Sequence, residues 1–276
     1  MDISIACCTY NGSRFLSQQL DSIVNQTKLP DEIVVCDDCS TDTTRDILLH
    51  YADEYSNIKW VLAWNDHRLG VRRNFEKAIS LASGRYIATC DQDDVWRKDK
   101  LEKLYNYINE TGCSLVHSDT RLIDNTGHEL ASSGRRYSDL SRKHYLSEYI
   151  LGENDVTGCT MMFNSSLKKL IFPFPTHYYY HDQWLAIWAC RNGGIGFIDQ
   201  PLIDYRQHGN NVVASLCGGG NKSSLTYTHF IGKSKDLFMV LRNSDKIGLS
   251  SNEIASVLKR LISDVIGFGY LKSCLR

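Results

Sequence analysis

The sequence predicts an α/β fold: a mostly parallel sheet flanked by helices, with a helical extension at the C-terminal end. Three observations carry this. Apolar strand-like runs alternate with helix-period stretches five times within about the first 118 residues. Polar residues gather directly after several of those runs, as they do at the carboxyl edge of a parallel sheet. From residue 222 onward the charge and the periodicity change together.

The elements follow in order. "ISIACC" is the first strand, and "SRFLSQQLDSIVNQ" carries Leu16, Leu20, Ile23 and Val24 at helical spacing. "EIVVC" is the second strand, followed by a helix in "DDCSTDTTRDILLHYADEY" for which Ser40 offers an N-cap. "IKWVLAW" is the third strand, and "GVRRNFEKAISLAS" is a helix with Gly84 as its C′ stop. "RYIATC", a helix over "RKDKLEKLYNYINETG" and "CSLVHS" complete the alternation. Further on, "DVTGCTMMFN" reads as a strand with a turn at Gly158, and "THYYYHDQWLAIWA" as an aromatic cluster running into a helix.

Composition excludes several classes. Lys plus Arg is 31 against 32 Asp plus Glu, a net charge of −1, which argues against a nucleic-acid partner. No apolar run approaches the roughly 18 residues that span a bilayer. The start "MDISIACCTY" has no basic n-region, so a signal peptide is not expected. Ten cysteines lie mostly in apolar runs and read as buried free thiols in a reducing, cytoplasmic compartment. Cys36 and Cys39 match CxxC, but no second pair follows at zinc spacing.

The residues after the strands are the chemical candidates. Thr9, Tyr10 and Asn11 follow the first strand, Asp37 and Asp38 the second, and Asp91, Asp93 and Asp94 the fourth; Ser118 and Asp119 follow the fifth. A single Asp there is commonly a cap or a turn residue, which is the leading reading for Asp37-Asp38. Three acids within four positions repel one another, and such clusters hold a cation or shift their pKa. In the second half, Asp182 opens a helix, where the dipole alone would favour it. The tail begins with a Gly-rich hinge, "CGGGNKSS". Residues 222–276 hold nine Lys or Arg against four Asp or Glu, or +5, so residues 1–221 sum to −6. Ile254, Val257, Leu258, Leu261, Ile262, Val265 and Ile266 make one apolar stripe. Peripheral docking on anionic lipid, a homodimer surface and a plain packed face all fit such a tail.

As a set, "ISIACCTYNGSRFLSQQLDSIVNQT", "EIVVCDDCSTDTT", "GVRRNFEKAISLASGRYIATCDQDD" and "HDQWLA" resemble glycosyltransferase family 2, the inverting enzymes of GT-A fold, over roughly residues 2–210. "DQDDVW", "VTGCTMMFN" and the stretch from "YYHDQW" to "YRQHGNN" resemble in particular bacterial rhamnosyltransferases that build O-antigen or cell-wall polysaccharide. The resemblance implies a dTDP- or UDP-linked sugar donor and a saccharide or lipid-linked saccharide acceptor. It implies Mg²⁺ or Mn²⁺ held by Asp93 and Asp91, with His208 as a third ligand. Thr9, Tyr10, Asn11, Asp38, Arg73 (or its neighbour Arg72), Asp91, Gln92 and Asp93 then bind the nucleotide sugar. Asp38 accepts from the pyrimidine N3–H. Asp182 matches the family's catalytic base, with His181 as the alternative, and Trp96, Gly158, His181 and Trp184 fall on the acceptor side. Residues 1–215 form the catalytic domain, divided into a nucleotide-sugar half (1–120) and an acceptor half (121–215), with 222–276 as the extension. One departure is Cys39, where the family commonly has Gly and a more permissive backbone.

Three other functions stand beside this one. A UDP-hexose-dependent enzyme of the same fold shares every motif above. A haloacid-dehalogenase-type phosphatase needs a nucleophilic Asp on the first strand, and "ISIACCTYN" has none. A non-catalytic nucleotide-sugar-binding module would bind donor without turning it over.

Overall fold

A computed structural model of the chain describes residues 1–137, 146–151, 154–177, 179–208 and 227–274. The first half runs β1 (Ile3–Thr9), α1 (Leu16–Val24), β2 (Glu32–Asp37), α2 (Thr44–Glu54), β3 (Lys59–Trp64), α3 (Val71–Leu81), β4 (Tyr86–Cys90), β5 (Val95–Trp96), α4 (Lys100–Thr111) and β6 (Leu115–Ile123). It continues through β7 (Glu129–Ala131), α5 (Gly134–Tyr137), α6 (Leu146–Leu151), β8 (Met161–Asn164), α7 (Lys168–Ile171), α8 (His181–Arg191), β9 (Ile195–Arg206), α9 (Tyr227–Arg242), α10 (Ser244–Ile247) and α11 (Ser251–Cys274).

The strand order is β3-β2-β1-β4-β8-β6-β9-β5, with β7 beside β6. β1, β2, β3 and β4 are mutually parallel, so the chain winds outward from β1 to β3 and then returns to place β4 on the other flank of β1. The gap between the ends of β1 and β4 is therefore a topological switch point, where a crevice opens. Strand residues alternate between two apolar layers. Ala6, Val34 and Ile87 face the layer of α3, α6 and α8, while Ile5, Cys7, Ile33, Val35 and Ala88 face α1, α2 and α4. Burial on both faces is why these strands read as continuous apolar runs.

The sheet is more mixed than the alternation implied. β8 lies antiparallel between β4 and β6, with Met162 opposite both Ala88 and Val116. β5 and β7 are antiparallel edge pieces, on β9 and β6. "MMFN" is apolar throughout its buried residues, so its pattern reveals no direction or neighbour. Two caps also differ. α2 starts at Thr44, and the Ser40 hydroxyl instead donates to Asp37 and accepts from the Asn11 N–H at 2.8 Å. α3 ends at Leu81, and Gly84 serves a close approach: a Cβ there would lie 2.7 Å from the Ser4 nitrogen.

The C-terminal helices pack against α8. Leu237, Val240, Ile247 and Val257 are buried in the same apolar cluster as Trp184 and Trp188. Asp236 accepts from the main-chain N–H groups of His177 and Tyr179, and Arg191 pairs with Glu253 at 2.7 Å. The apolar stripe of α11 is wider than its buried line, because Val257 is 1% exposed while Leu258 and Ile262 are 45% and 59% exposed. The Gly-rich hinge lies outside the described residues. Among those residues, no helix is long and apolar enough to cross a membrane.

Candidate active site

A cavity of about 830 Å³ opens at the carboxyl edge of β1, β2 and β4. Thr9, Tyr10, Asn11, Asp38, Asp91, Gln92, Asp93, Gly158, His181, Asp182 and His208 all line it. The strand-end rule therefore brings together residues separated by nearly 200 positions.

At the β2 end, Asp37 and Asp38 divide two roles. Asp37 is fully buried and organises the turn, accepting from the Thr9 hydroxyl and the Ser40 N–H and pairing with Arg45, each at 3.0 Å. Asp38 faces the cavity and holds the loop after β3. Its Oδ1 accepts from the Leu69 N–H at 2.6 Å and the Asn65 amide at 3.0 Å, and its Oδ2 from the Gly70 N–H at 2.9 Å. A carboxylate offers about four acceptor positions. One remains on Oδ2, next to the Arg68 guanidinium at 3.8 Å. That guanidinium also lies 3.5 Å from the centre of the Tyr10 ring. Asn11 and Cys39 both take left-handed backbone, at φ 47° and 66°. Asn11 is suited to that region, and its side-chain oxygen accepts from the Thr41 N–H. Cys39 takes this backbone without being glycine, with its thiol donating to the Asn65 carbonyl at 3.1 Å.

Gln92 bridges the switch point. Its amide accepts from the Tyr10 N–H at 2.7 Å and donates to the Tyr10 carbonyl at 3.0 Å, which ties the β4 loop to the β1 loop. A Cβ at Gly12 would lie 2.3 Å from the Gln92 oxygen, so this tie needs glycine. The acids beyond it crowd one another. Burial first, then the charges of Asp93 and Asp182, push the Asp91 carboxyl up to about 7. Asp93 faces the imidazole of His208 at 2.8 Å, and its carbonyl accepts from Arg206. Asp94 is fully buried behind them, accepting from the Arg206 N–H at 3.0 Å. Beneath the cluster lies Lys100, 0% exposed, its ammonium 3.4 Å from the Trp96 ring centre and donating to the Cys159 carbonyl. Burial lowers that ammonium to about 8. Lys100 continues the apolar stripe Leu101, Leu104 and Ile108 of its helix, and a lysine within such a stripe is its signal in the sequence.

On the far wall, burial raises the Asp182 carboxyl to about 6, while the Gln183 N–H donates to its Oδ1 at 2.7 Å. His181 stacks on Phe75 with ring centres 3.8 Å apart. Gly158 is required beside it, since a Cβ there would meet the His181 Nε2 at 2.4 Å.

Three expected site residues lie elsewhere. The Arg73 guanidinium pairs with Glu76 outside the cavity lining, and Arg72 stacks on Tyr180 and donates to the Tyr179 carbonyl. Arg68, from the loop before the helix rather than from the helix itself, lines the cavity beside Tyr10 and Asp38. Trp96 and Trp184 are 3% and 1% exposed and belong to the two apolar layers, with the Trp184 indole donating to the Ile171 carbonyl. Their acceptor-side assignment is corrected to core packing: large flat side chains beside a site also fill the layer beneath it.

The donor set fits a hard divalent ion. Carboxylates of Asp91 and Asp93 and the imidazole of His208 are oxygen and nitrogen ligands suited to Mg²⁺ or Mn²⁺, and the Asp91–Asp93–Asp182 repulsion is what a cation relieves. Among the described residues, the ligand atoms that gather within 4.8 Å of one another are those of Asp91, Asp94 and Cys159, not those of Asp91, Asp93 and His208. That deeper group is less suited, because burial holds the Cys159 thiol protonated and Lys100 already supplies positive charge.

With this geometry in place, the class is defined. Residues 4–171 match the family model for glycosyl transferase family 2, and the chain belongs to that family of glycosyltransferases. It is 33% identical to TuaG of Bacillus subtilis, a glycosyltransferase named for teichuronic acid biosynthesis, over 82% of this chain and 86% of the relative. It is 30% identical to the Escherichia coli UDP-Glc:alpha-D-GlcNAc-diphosphoundecaprenol beta-1,3-glucosyltransferase WfgD, over 67% of this chain and 69% of the relative. The dTDP-rhamnosyl transferase RfbG of Shigella flexneri is 28% identical over 75% and 73% of the two chains. Among solved structures, TarS 1–349 of S. aureus in complex with UDP-GlcNAc superposes with a TM-score of 0.68 at 20% identity, covering 97% of this chain and 73% of TarS. The fold is thereby GT-A.

Proposed function

We propose that the enzyme transfers L-rhamnose from dTDP-rhamnose, with inversion, to a saccharide or lipid-linked saccharide in bacterial surface polysaccharide synthesis. The observation that carries sugar transfer is one cavity lined together by Asp38, the Asp91–Asp93 pair and Asp182. Tyr10 offers its ring to a pyrimidine, and the remaining acceptor position of Asp38 takes the base N3–H. A divalent ion held by Asp91, Asp93 and His208 would neutralise charge on the nucleoside diphosphate as it leaves. Asp182 takes the proton of the acceptor hydroxyl as the new bond to the anomeric carbon forms on the face opposite the diphosphate. Residues 1–120 supply the nucleotide end and 121–215 the acceptor side. The extension at 222–276 meets an anionic membrane surface or a second copy of the chain at the cytoplasmic side. The exposed Phe238, Leu258 and Ile262 support that role.

The rhamnose donor is supported by the "DQDDVW" and "HDQW" motifs and by the likeness to RfbG. A UDP-hexose donor is the second reading, supported by the likeness to WfgD. Uracil and thymine present the same N3–H, so Asp38 accepts either. A panel of dTDP-rhamnose, UDP-glucose and UDP-galactose, scored for metal-dependent release of nucleoside diphosphate, tests both. Turnover of dTDP-rhamnose alone is the expected result, and preference for a UDP-hexose would replace it.

A further inference from the structure

His181 lies next to the proposed base and has a surrounding that neither packing nor proton transfer explains. It is 5% exposed, yet it lines the cavity. Neither ring nitrogen has a hydrogen-bond partner in the structure. Leaving a buried polar atom unpaired is destabilising, and this ring has two. The ring is also held in place. Phe75 stacks on one face at an interplanar angle of 19°, and the bare Cα of Gly158 leaves the space that its Nε2 edge occupies. Proton transfer is a poor use for it, since burial and then the Arg72 charge lower its pKa to about 3. An imidazole so hard to protonate is a weak base at neutral pH and stays a neutral hydrogen-bonding group.

We infer that His181 is a specificity residue, reading one hydroxyl of the donor sugar through a ring nitrogen held between Phe75 and Gly158. His181 opens α8, in the half proposed for the acceptor, but its ring stacks on Phe75 from the first half, which turns it toward the sugar of the donor. Phe75 lies on α3, whose N-terminal end continues the loop that Asp38 holds through Leu69 and Gly70. A hydroxyl fits because it both donates and accepts, so it satisfies either tautomer of the ring. A site built to pair a polar group rejects the analogue that lacks it, because its own buried atom is then left unpaired. This inference rests on the nucleotide-sugar reading above.

The test compares wild type with His181→Phe, which keeps the ring stack and removes both nitrogens, and with His181→Gln, which restores a polar end. Each is assayed for metal-dependent nucleoside diphosphate release from the sugar donor that wild type cleaves and from its monodeoxy analogues, with melting curves to confirm folding. Wild type should discriminate against one deoxy analogue by about 10–100-fold in kcat/KM. His181→Phe should lose about that factor on the parent donor and show almost no further loss on that one analogue. His181→Gln should recover part of it. If His181→Phe slows every donor by the same factor, or leaves the parent donor unaffected, the inference fails while the nucleotide-sugar reading stands. Absence of release from any nucleotide sugar by wild type would bring down that reading, and this inference with it.

Discussion

The two ends of the cavity are built by opposite means. At the Asp38 end most polar groups are already satisfied by the protein. Asp38 accepts two main-chain N–H groups and an amide, and Gln92 exchanges two hydrogen bonds with the backbone of Tyr10. At the far wall His181 has no partner, and Asp182 is buried with its carboxyl raised to about 6. The first end is a preformed mould whose loops hold one another. The second carries reactive and unpaired groups that a substrate would complete. Binding geometry can be fixed in advance, whereas a base must remain free to take a proton.

The largest test of this contrast is Asp182→Asn. It keeps the hydrogen bond from the Gln183 N–H and removes basicity, so turnover should fall by about 10²–10⁴ with donor affinity nearly unchanged. Retention of more than about a third of wild-type turnover would remove Asp182 from the role. The pH profile sharpens the same point. The base works deprotonated and its pKa is raised to about 6, so wild-type turnover should drop roughly tenfold per unit as pH falls below that value. That acid limb should be absent in the residual activity of Asp182→Asn.

At the other end the expectation is reversed. Asp38→Ala frees the Leu69 and Gly70 N–H groups and loosens the loop, so donor affinity should weaken by about 10–100-fold. The turnover of bound donor should change far less. Calorimetry of nucleotide binding, set beside kcat at saturating donor, separates the two; an equal fall in both would mean that the ends are not independent.

Trp184→Ala tests the correction to the acceptor wall. A core indole should cost about 3–5 kcal/mol in stability, read as a lowered Tm, because its removal leaves a cavity among Trp188, Tyr179 and Ile171. If stability is retained and acceptor KM rises instead, the side chain reaches substrate after all. The smallest effect belongs to Cys39. Left-handed backbone costs a non-glycine residue roughly 1–2 kcal/mol, and glycine adds about 0.5–1 kcal/mol of chain entropy. Cys39→Gly should therefore be neutral or stabilising by up to about 1 kcal/mol, and Cys39→Val clearly destabilising in the same melting experiment.

How much was legible depends on what kind of signal each residue carried. β1, β2 and β4 were readable because strands buried on both faces must be apolar along their length and the intervening helices keep one apolar stripe. The acids after those strands were readable because a parallel sheet sends its ligand groups to one edge, and Asp91, Asp93 and Asp38 do line one cavity. The sequence by itself thus determined the fold class and the chemical character of the site. The tertiary structure decided what depends on contacts across the chain. It set β8 antiparallel between β4 and β6, because a short, wholly apolar strand pairs wherever its neighbours leave room. It chose Arg68 over Arg73 because a loop held by Asp38 turns one guanidinium toward Tyr10, while the helix carries the other away to Glu76. It buried Trp96 and Trp184 and packed the C-terminal helices beside Trp188. Local pattern shows that a face is apolar, and only packing shows what covers it.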